Sequence, residues 1–218
     1  MSTWHLNTDQ PLYTRQAEPE QWTSRMVPSG FALLRFDDAT LRRWLAVHEA
    51  GHAVLDFAGG IPVVEIHLCD DLGKVPGEGG AAWVRTGRDW SVPYVRYLAM
   101  CAAGERAQER WMREEGLWSS ERAWVTERGA TDDRAQAAHA LRETRGMDLT
   151  YGPVNGAGMD YATVQAAADA ALAPLWDRVL RLAAAVDEHG HLSGREAARY
   201  AGMAHVAVPC DETEAVAA

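Results

Sequence analysis

The stretch LAVHEAGHAVLDFAGG, residues 45–60, contains two histidines four positions apart and a glutamate directly after the first. In a helix, residues four apart are offset by about 40°, so His48 and His52 project from one face, one turn apart. That spacing lets both imidazoles reach one zinc ion at about 2.0–2.1 Å. Glu49 lies about 100° around the helix, where a carboxylate can take a proton from an activated water. The stretch therefore predicts a metal-binding helix with Glu49 as its catalytic group.

The residues on either side of the stretch support a helix. Asp37 or Asp38 can cap its N-terminus, and Gly59–Gly60 followed by Pro62 can end it. The alternative is an alanine-rich core helix in which the His-Glu-x-x-His pattern arises by chance. The pattern lies in mid-helix, between start and stop signals and in phase with the apolar residues, and this context favours the metal site.

The rest of the chain predicts more helix than strand. IPVVEIHLCD (61–70) and AAWVRTG (81–87) have strand patterns and together predict a small antiparallel sheet. Helical patterns follow from about residue 93, from an N-cap at Thr131, over about 161–189, and in LSGREAARYAG (192–202). The expected fold class is mainly α with a small antiparallel β-sheet, that is, α+β.

Length, charge and composition argue against several kinds of protein. The 218 residues suffice for one domain, and a formal net charge of -10 without a basic stripe argues against a nucleic-acid partner. The three cysteines show no C-x-x-C spacing, so neither a disulfide framework nor a cysteine-zinc site is expected. The N-terminus lacks a signal-peptide pattern, and no run of about 18 apolar residues occurs. We therefore expect a cytoplasmic protein without membrane insertion.

A catalytic zinc needs a third protein ligand and one open position. The extended pattern H-E-x-x-H-x-x-G-x-x-H is absent, since Leu55 and Ala58 occupy the required glycine and third-histidine positions, and this excludes a metzincin. The residue types alone leave the third ligand open. The candidates are Glu65, His67, Glu105, Glu109, Asp132, Asp133, His139, His189 and His191.

The motifs HEAGHAV (48–54) and GATDDRAQAA (129–138) together resemble the peptidase domain of the FtsH-type membrane-bound AAA proteases. The likeness extends loosely over about residues 41–203. The stretch 63–84 resembles the paired strands of that family, and YLAMCAAGERAQERW (97–111) resembles its Ala-Gly-Arg-x-Ala-Glu-Glu helix, with Glu105 where the arginine usually stands. The motifs occur in the order of the family.

This resemblance implies a zinc metallopeptidase in which His48, His52 and Asp133 bind Zn²⁺ and Glu49 is catalytic. An aspartate in the first turn of a helix is also favoured without any metal, and Asp132 shares that property and remains an alternative ligand. Two histidines and one carboxylate suit zinc, and they also accept iron or manganese.

No phosphate-binding loop of the form G-x-x-x-x-G-K-[ST] occurs, so we expect the chain to cleave flexible or small peptides without ATP-driven unfolding of its own. An extended substrate is expected to add to the edge of the sheet along AAWVRT, beside Trp44, Trp83 and Trp90. The alternative is an enzyme of a biosynthetic pathway that acts on a small-molecule amide. Copies of the chain itself and a substrate-delivering protein both remain open as partners.

Three regions are expected along the chain. Residues 1–36, with three prolines and scattered aromatic residues, predict an irregular arm that docks through its aromatic side chains. Residues 37–205 form the metallopeptidase-like domain, and residues 206–218 form an acidic, flexible tail.

Overall fold

The fold class predicted from the sequence, mainly α with a small antiparallel sheet, is confirmed. The computed structural model of the chain describes residues 3–8, 12–20, 22, 30–69, 82–87, 91–154 and 156–207. The helices are α1 (Gly30–Leu34), α2 (Asp38–Gly59), α3 (Tyr94–Glu114), α4 (Ser120–Gly129), α5 (Thr131–Arg145), α6 (Tyr161–Leu172), α7 (Trp176–His189) and α8 (Gly194–Ala201). The strands are β1 (His5–Leu6), β2 (Tyr13–Thr14), β3 (Val63–Leu68), β4 (Ala82–Thr86), β5 (Asp148–Thr150), β6 (Gly158–Asp160) and β7 (His191–Ser193).

Helix α2 is the central element of the fold and carries the His-Glu-x-x-His motif. Asp37 caps it as predicted, since its Oδ1 accepts a hydrogen bond from the Thr40 N–H at 2.8 Å. The helix ends at Gly59, and Gly60 adopts a left-handed conformation with φ 76°. Because α3, α7, β3 and β4 all pack against it, α2 is buried along most of its length.

Helices α2 and α3 approach each other closely at Gly51. A Cβ atom at this position would lie 2.7 Å from the Ala103 carbonyl oxygen and 2.8 Å from the Ala107 Cβ, so no larger residue fits. The contact brings the backbone of α3 against the face of α2 that carries the two histidines. The small residue inside the motif therefore sets the distance between these helices.

The sheet that contains β3 has the strand order β4-β3-β7, and both of its pairings are antiparallel. The predicted antiparallel pairing of these two stretches, β3 and β4, is confirmed, with Ile66 opposite Val84. On the other side of β3, Leu192 of β7 pairs with Ile66. Among the strands that the structure describes, β4 is an edge of this sheet, and it packs against α2.

Two helix predictions were wrong in detail. The run over 161–189 is not one helix, because a 3₁₀ turn at Ala173–Leu175 separates α6 from α7. Pro174 has no N–H to continue the hydrogen-bond ladder of α6. Thr131 is the first residue of α5 and not its N-cap, since α4 ends only two residues earlier and the Thr131 hydroxyl donates to the Arg128 carbonyl at 2.6 Å.

The N-terminal arm contains regular structure and docks through aromatic rings. Strands β1 and β2 pair with each other, and α1 also lies within residues 1–36. The ring of Tyr13 stacks on Tyr151 at 4.8 Å, and Trp4 meets the same ring edge-on at 5.2 Å. Trp22 packs against Trp124 at 5.1 Å. The predicted tail lies outside the described residues from position 208 onward.

Within the described ranges, no helix is both long enough and apolar enough to cross a membrane.

Candidate metal centre

Three side chains from two helices converge on one point. His48 Nε2 and His52 Nε2 of α2 each lie 3.3 Å from Asp133 Oδ2, and the two Nε2 atoms lie 3.0 Å apart. The ligand atoms of these three side chains all lie within 4.8 Å of one another, close enough to bind one metal ion. Among the described residues, no other group of three His, Cys, Asp or Glu side chains meets this criterion. Asp133 occupies the first turn of α5. Its neighbour Asp132 is exposed and is not part of the group.

Hydrogen bonds to the outer ring nitrogens orient both imidazoles. His48 Nδ1 lies 3.1 Å from Gln108 Oε1, and His52 Nδ1 lies 2.8 Å from the Met100 carbonyl oxygen. Because both partners accept, each Nδ1–H donates, so the neutral form of each ring directs the lone pair of Nε2 at the shared point. Gln108 is itself held by the Trp44 carbonyl, to which its Nε2 donates at 3.1 Å. Histidines that bind metals are held in this way.

Gly104 of α3 borders the point where the ligand atoms converge. A Cβ atom at this position would lie about 2.5 Å from Nε2 of His48 and closer still to Nε2 of His52. The space next to both ligand nitrogens therefore exists because residue 104 has no side chain. Two neutral imidazoles, one carboxylate and this open space fit a divalent metal ion of the zinc type.

The charges of the three groups are strongly linked. Burial lowers the pKa of His52, but the carboxylates of Asp133, Glu49 and Asp56, with Asp133 contributing most, together raise this pKa to about 10. Burial also lowers the pKa of His48, but the hydrogen bond with Asp133 and the charges of Glu49 and Asp133 together raise it above its ordinary value. The pKa of Asp133 is raised by burial, yet the two histidines hold it well below its usual range. The centre thus stabilises positive charge between its three side chains, as a cation site must.

Glu49 is 6% exposed and lies beside the converging ligands. Its carboxylate accepts a hydrogen bond from the backbone N–H of Val84 in β4. Burial raises the pKa of Glu49 above its ordinary value, and the positive charge of the nearby histidines only partly opposes this. A carboxylate with a raised pKa is a better proton acceptor and donor near neutral pH.

A cavity of about 400 Å³ opens over the three ligands and Glu49. Strand β4 forms one wall through Trp83, Val84 and Thr86, and Trp44 contributes to another. Trp44 is only 2% exposed, whereas Trp83 is 39% exposed, so Trp83 is the more available of the two for contact with a substrate. Trp90, the third predicted wall residue, lies outside the described residues.

The other predicted third-ligand candidates lie elsewhere. Glu65 pairs with Arg85 at 2.9 Å and with His191 at 3.2 Å across the sheet. His67 stacks on Trp83 at 4.3 Å. The remaining candidates pair with arginines or are exposed, and these are Glu105, Glu109, His139 and His189.

The sequence interpretation missed the residues of α3 that complete the centre. Gln108 and the Met100 carbonyl orient the histidines, and Gly104 leaves room beside them. The Ala-Gly step at 103–104 was a usable signal, because a glycine within a long helical pattern often marks a close approach. A backbone carbonyl has no sequence signal of its own.

Comparison with known proteins adds no relative: no family model matches the chain, and no curated protein matches it significantly. The resemblance to the FtsH-type peptidase domain therefore rests on the motifs quoted above.

Proposed function

We propose that this protein is a zinc-dependent metallopeptidase that hydrolyses peptide bonds in flexible or small peptides. The observation that carries the proposal is the convergence of His48, His52 and Asp133 at 3.0–3.3 Å, with the buried carboxylate of Glu49 beside them. A zinc ion bound by the three side chains would polarise the scissile carbonyl and lower the pKa of a water.

Glu49 performs the proton transfers of this reaction. It takes a proton from the attacking water, whose oxygen forms the new bond to the carbonyl carbon. The carbon–nitrogen bond then breaks, and the proton on Glu49 passes to the leaving amine. Burial supports both steps, because it raises the pKa of Glu49 toward the range in which a carboxyl both accepts and releases a proton.

The position of β4 supports a peptide as substrate. This strand is an edge among the described strands, and it lines the cavity beside the ligands. The backbone N–H of Val84 in this strand interacts with the Glu49 carboxylate. An extended peptide can add to such an edge through main-chain hydrogen bonds, and these place a scissile bond near Glu49 without demanding a particular sequence.

A small-molecule amide is the second candidate substrate. The cavity volume of about 400 Å³ favours it, because pockets of about 300–1,000 Å³ hold whole small ligands. The two candidates differ in what they need from β4, since only an extended peptide uses the length of the strand edge.

Metal content and hydrolysis of a peptide library, measured side by side on three variants, test the proposal. Glu49→Gln should keep zinc and lose about 10²–10⁴-fold in rate. Asp133→Ala should lose zinc, whereas its neighbour Asp132→Ala should keep it. Full zinc occupancy in Asp133→Ala contradicts the ligand assignment, and undiminished cleavage by Glu49→Gln contradicts the mechanism. A panel of small amides, cleaved in place of peptides, would favour the second candidate.

A further inference from the structure

A further carboxylate lines the same cavity and plays no part in the chemistry described above. Asp56 lies one helical turn beyond His52 on α2, lines the cavity, and is 8% exposed. Among the residues that the structure describes, none donates a hydrogen bond to its carboxylate or forms an ion pair with it. A buried carboxylate in this state is rare, because burial without a partner costs several kcal/mol.

The surroundings of Asp56 do not explain its presence. Ile61, Met100, Tyr97 and Cys101 also line the cavity, and none of them carries a positive charge. Burial raises the pKa of Asp56 to about 7, and the charge of His52 only partly opposes this rise. An apolar residue would fill this part of α2 at lower cost to the folded protein.

Asp56 is not a further ligand of the metal centre. The ligand atoms within 4.8 Å of one another belong to His48, His52 and Asp133, and the carboxylate of Asp56 is not among them. Four residues of helix advance by about 6 Å, so Asp56 lies about that far along α2 from His52. This distance suits a charged group of a substrate whose reacting bond lies at the metal centre.

We propose that Asp56 is a specificity residue, which binds an ammonium or guanidinium group of the substrate inside the cavity. The inference rests on the proposed function, since it describes what enters that same site. A cation would supply the charge-assisted hydrogen bonds that the carboxylate lacks. Either the side chain of a lysine or arginine or the free α-amine of a peptide can provide it.

Four hydroxamates, titrated into the zinc-loaded protein by calorimetry, distinguish these sources. Nα-acetyl-lysine hydroxamate carries only the side-chain cation, norleucine hydroxamate only the α-amine, lysine hydroxamate both, and Nα-acetyl-norleucine hydroxamate neither. At least one single-cation compound should bind about tenfold more tightly than the neutral one. In Asp56→Asn this preference should disappear, while the neutral compound keeps its affinity.

Asp38→Asn is the matched control, because it removes an exposed carboxylate from the same helix outside the cavity, and it should keep the full preference. Equal binding of charged and neutral compounds to the wild type overturns the inference, and so does a preference that survives in Asp56→Asn. Failure of all four compounds to bind overturns the inference if the protein contains zinc, and overturns the metal centre and with it both proposals if the protein cannot be loaded with zinc. Zinc content measured on each variant separates this last outcome from the other two.

Discussion

Arg134 Nη2 lies 2.9 Å from Glu105 Oε2, and the two side chains are 3% and 1% exposed. Arg134 directly follows Asp133 in α5, and Glu105 directly follows Gly104 in α3. The other Glu105 oxygen accepts a hydrogen bond from Gln165 at 2.7 Å. This buried ion pair therefore joins the helix that supplies the carboxylate of the metal centre to the helix that borders the two histidines.

The same guanidinium also holds the N-terminal arm. Arg134 Nη1 donates to the Tyr13 carbonyl at 2.6 Å, and the Arg15 N–H donates to Glu127 at 2.6 Å. Burial and the nearby Glu105 raise the pKa of Glu127 to about 7. Because the arm contributes polar partners to a buried charge cluster as well as aromatic packing, we infer that the arm is part of the folded unit.

Arg134→Met should destabilise the protein by about 3–5 kcal/mol, because it leaves Glu105 charged, buried and without its ion-pair partner. The measurement is the free energy of unfolding in urea. Arg142→Met is the matched control, since Arg142 pairs with Asp148 on the surface, where both side chains are about two-thirds exposed, and it should change stability by about 0–1 kcal/mol.

The double variant Arg134→Met/Glu105→Gln should recover part of the lost stability, because it removes the unpaired charge. If the single and double variants are equally unstable, loss of packing and not the unpaired carboxylate is the cause.

The sequence predicted the parts of the fold that local patterns encode. The cap at Asp37, the stop at Gly60 and the β3–β4 pairing each depend on a few neighbouring residues. The pairing of β7 with β3 was missed, since β7 has three residues and lies more than 120 residues further along the chain. The residues near β7 in the sequence contain no signal that predicts its pairing with β3.

The residues of the candidate site also fall into those that local sequence patterns predict and those that they do not. His48, Glu49 and His52 follow from spacing on one helix, whereas Asp133 lies 81 residues after His52, and only the resemblance separated it from Asp132. Glu105 was one of the candidates for the third metal ligand. In the structure Glu105 is buried and forms an ion pair with Arg134 of α5. The sequence does not reveal this pair, because it does not show how α5 packs against α3.

The stability of the metal-free protein should depend on pH through His52. Its pKa is raised from 6.5 to about 10, mainly by Asp133, so protonated His52 binds this carboxylate in the folded state. The resulting stabilisation is fully present below pH 6.5 and is lost as pH rises through about 10. The free energy of unfolding of the metal-free protein, measured in urea at a series of pH values, should decrease between these two pH limits.

His52→Gln should remove most of that decline, and His139→Gln, which changes an exposed histidine, should leave it intact. Zinc should reduce the decline, because a bound cation takes over the charge that the proton supplies. A wild-type profile that is flat from pH 6.5 to 10 contradicts the prediction.

Gly104→Ala should weaken zinc binding. The added methyl group would point at Nε2 of both histidines, where the metal must bind, while alanine favours a helix over glycine by about 1 kcal/mol. Zinc affinity, measured by competition with a chromophoric chelator, should fall by at least about tenfold.

Gly129→Ala is the matched control, since a Cβ atom there meets nothing within 4 Å, and it should bind zinc as the wild type does. Unchanged affinity in Gly104→Ala would show that the metal binds on another side of the histidines.

Gln108→Leu should lower zinc affinity about 10–100-fold, because His48 loses the acceptor that fixes its Nδ1–H tautomer and ring orientation. Gln108→Glu keeps an acceptor at the same position, although it loses the donor to the Trp44 carbonyl, so it should retain more affinity than the leucine variant. Chelator competition gives the affinities, and the imidazole ¹⁵N chemical shifts report which nitrogen of His48 carries the proton. A leucine variant with wild-type affinity and an unchanged His48 tautomer would contradict the orienting role of Gln108. Loss of affinity to the same extent in both variants would assign the effect to packing around α3 instead.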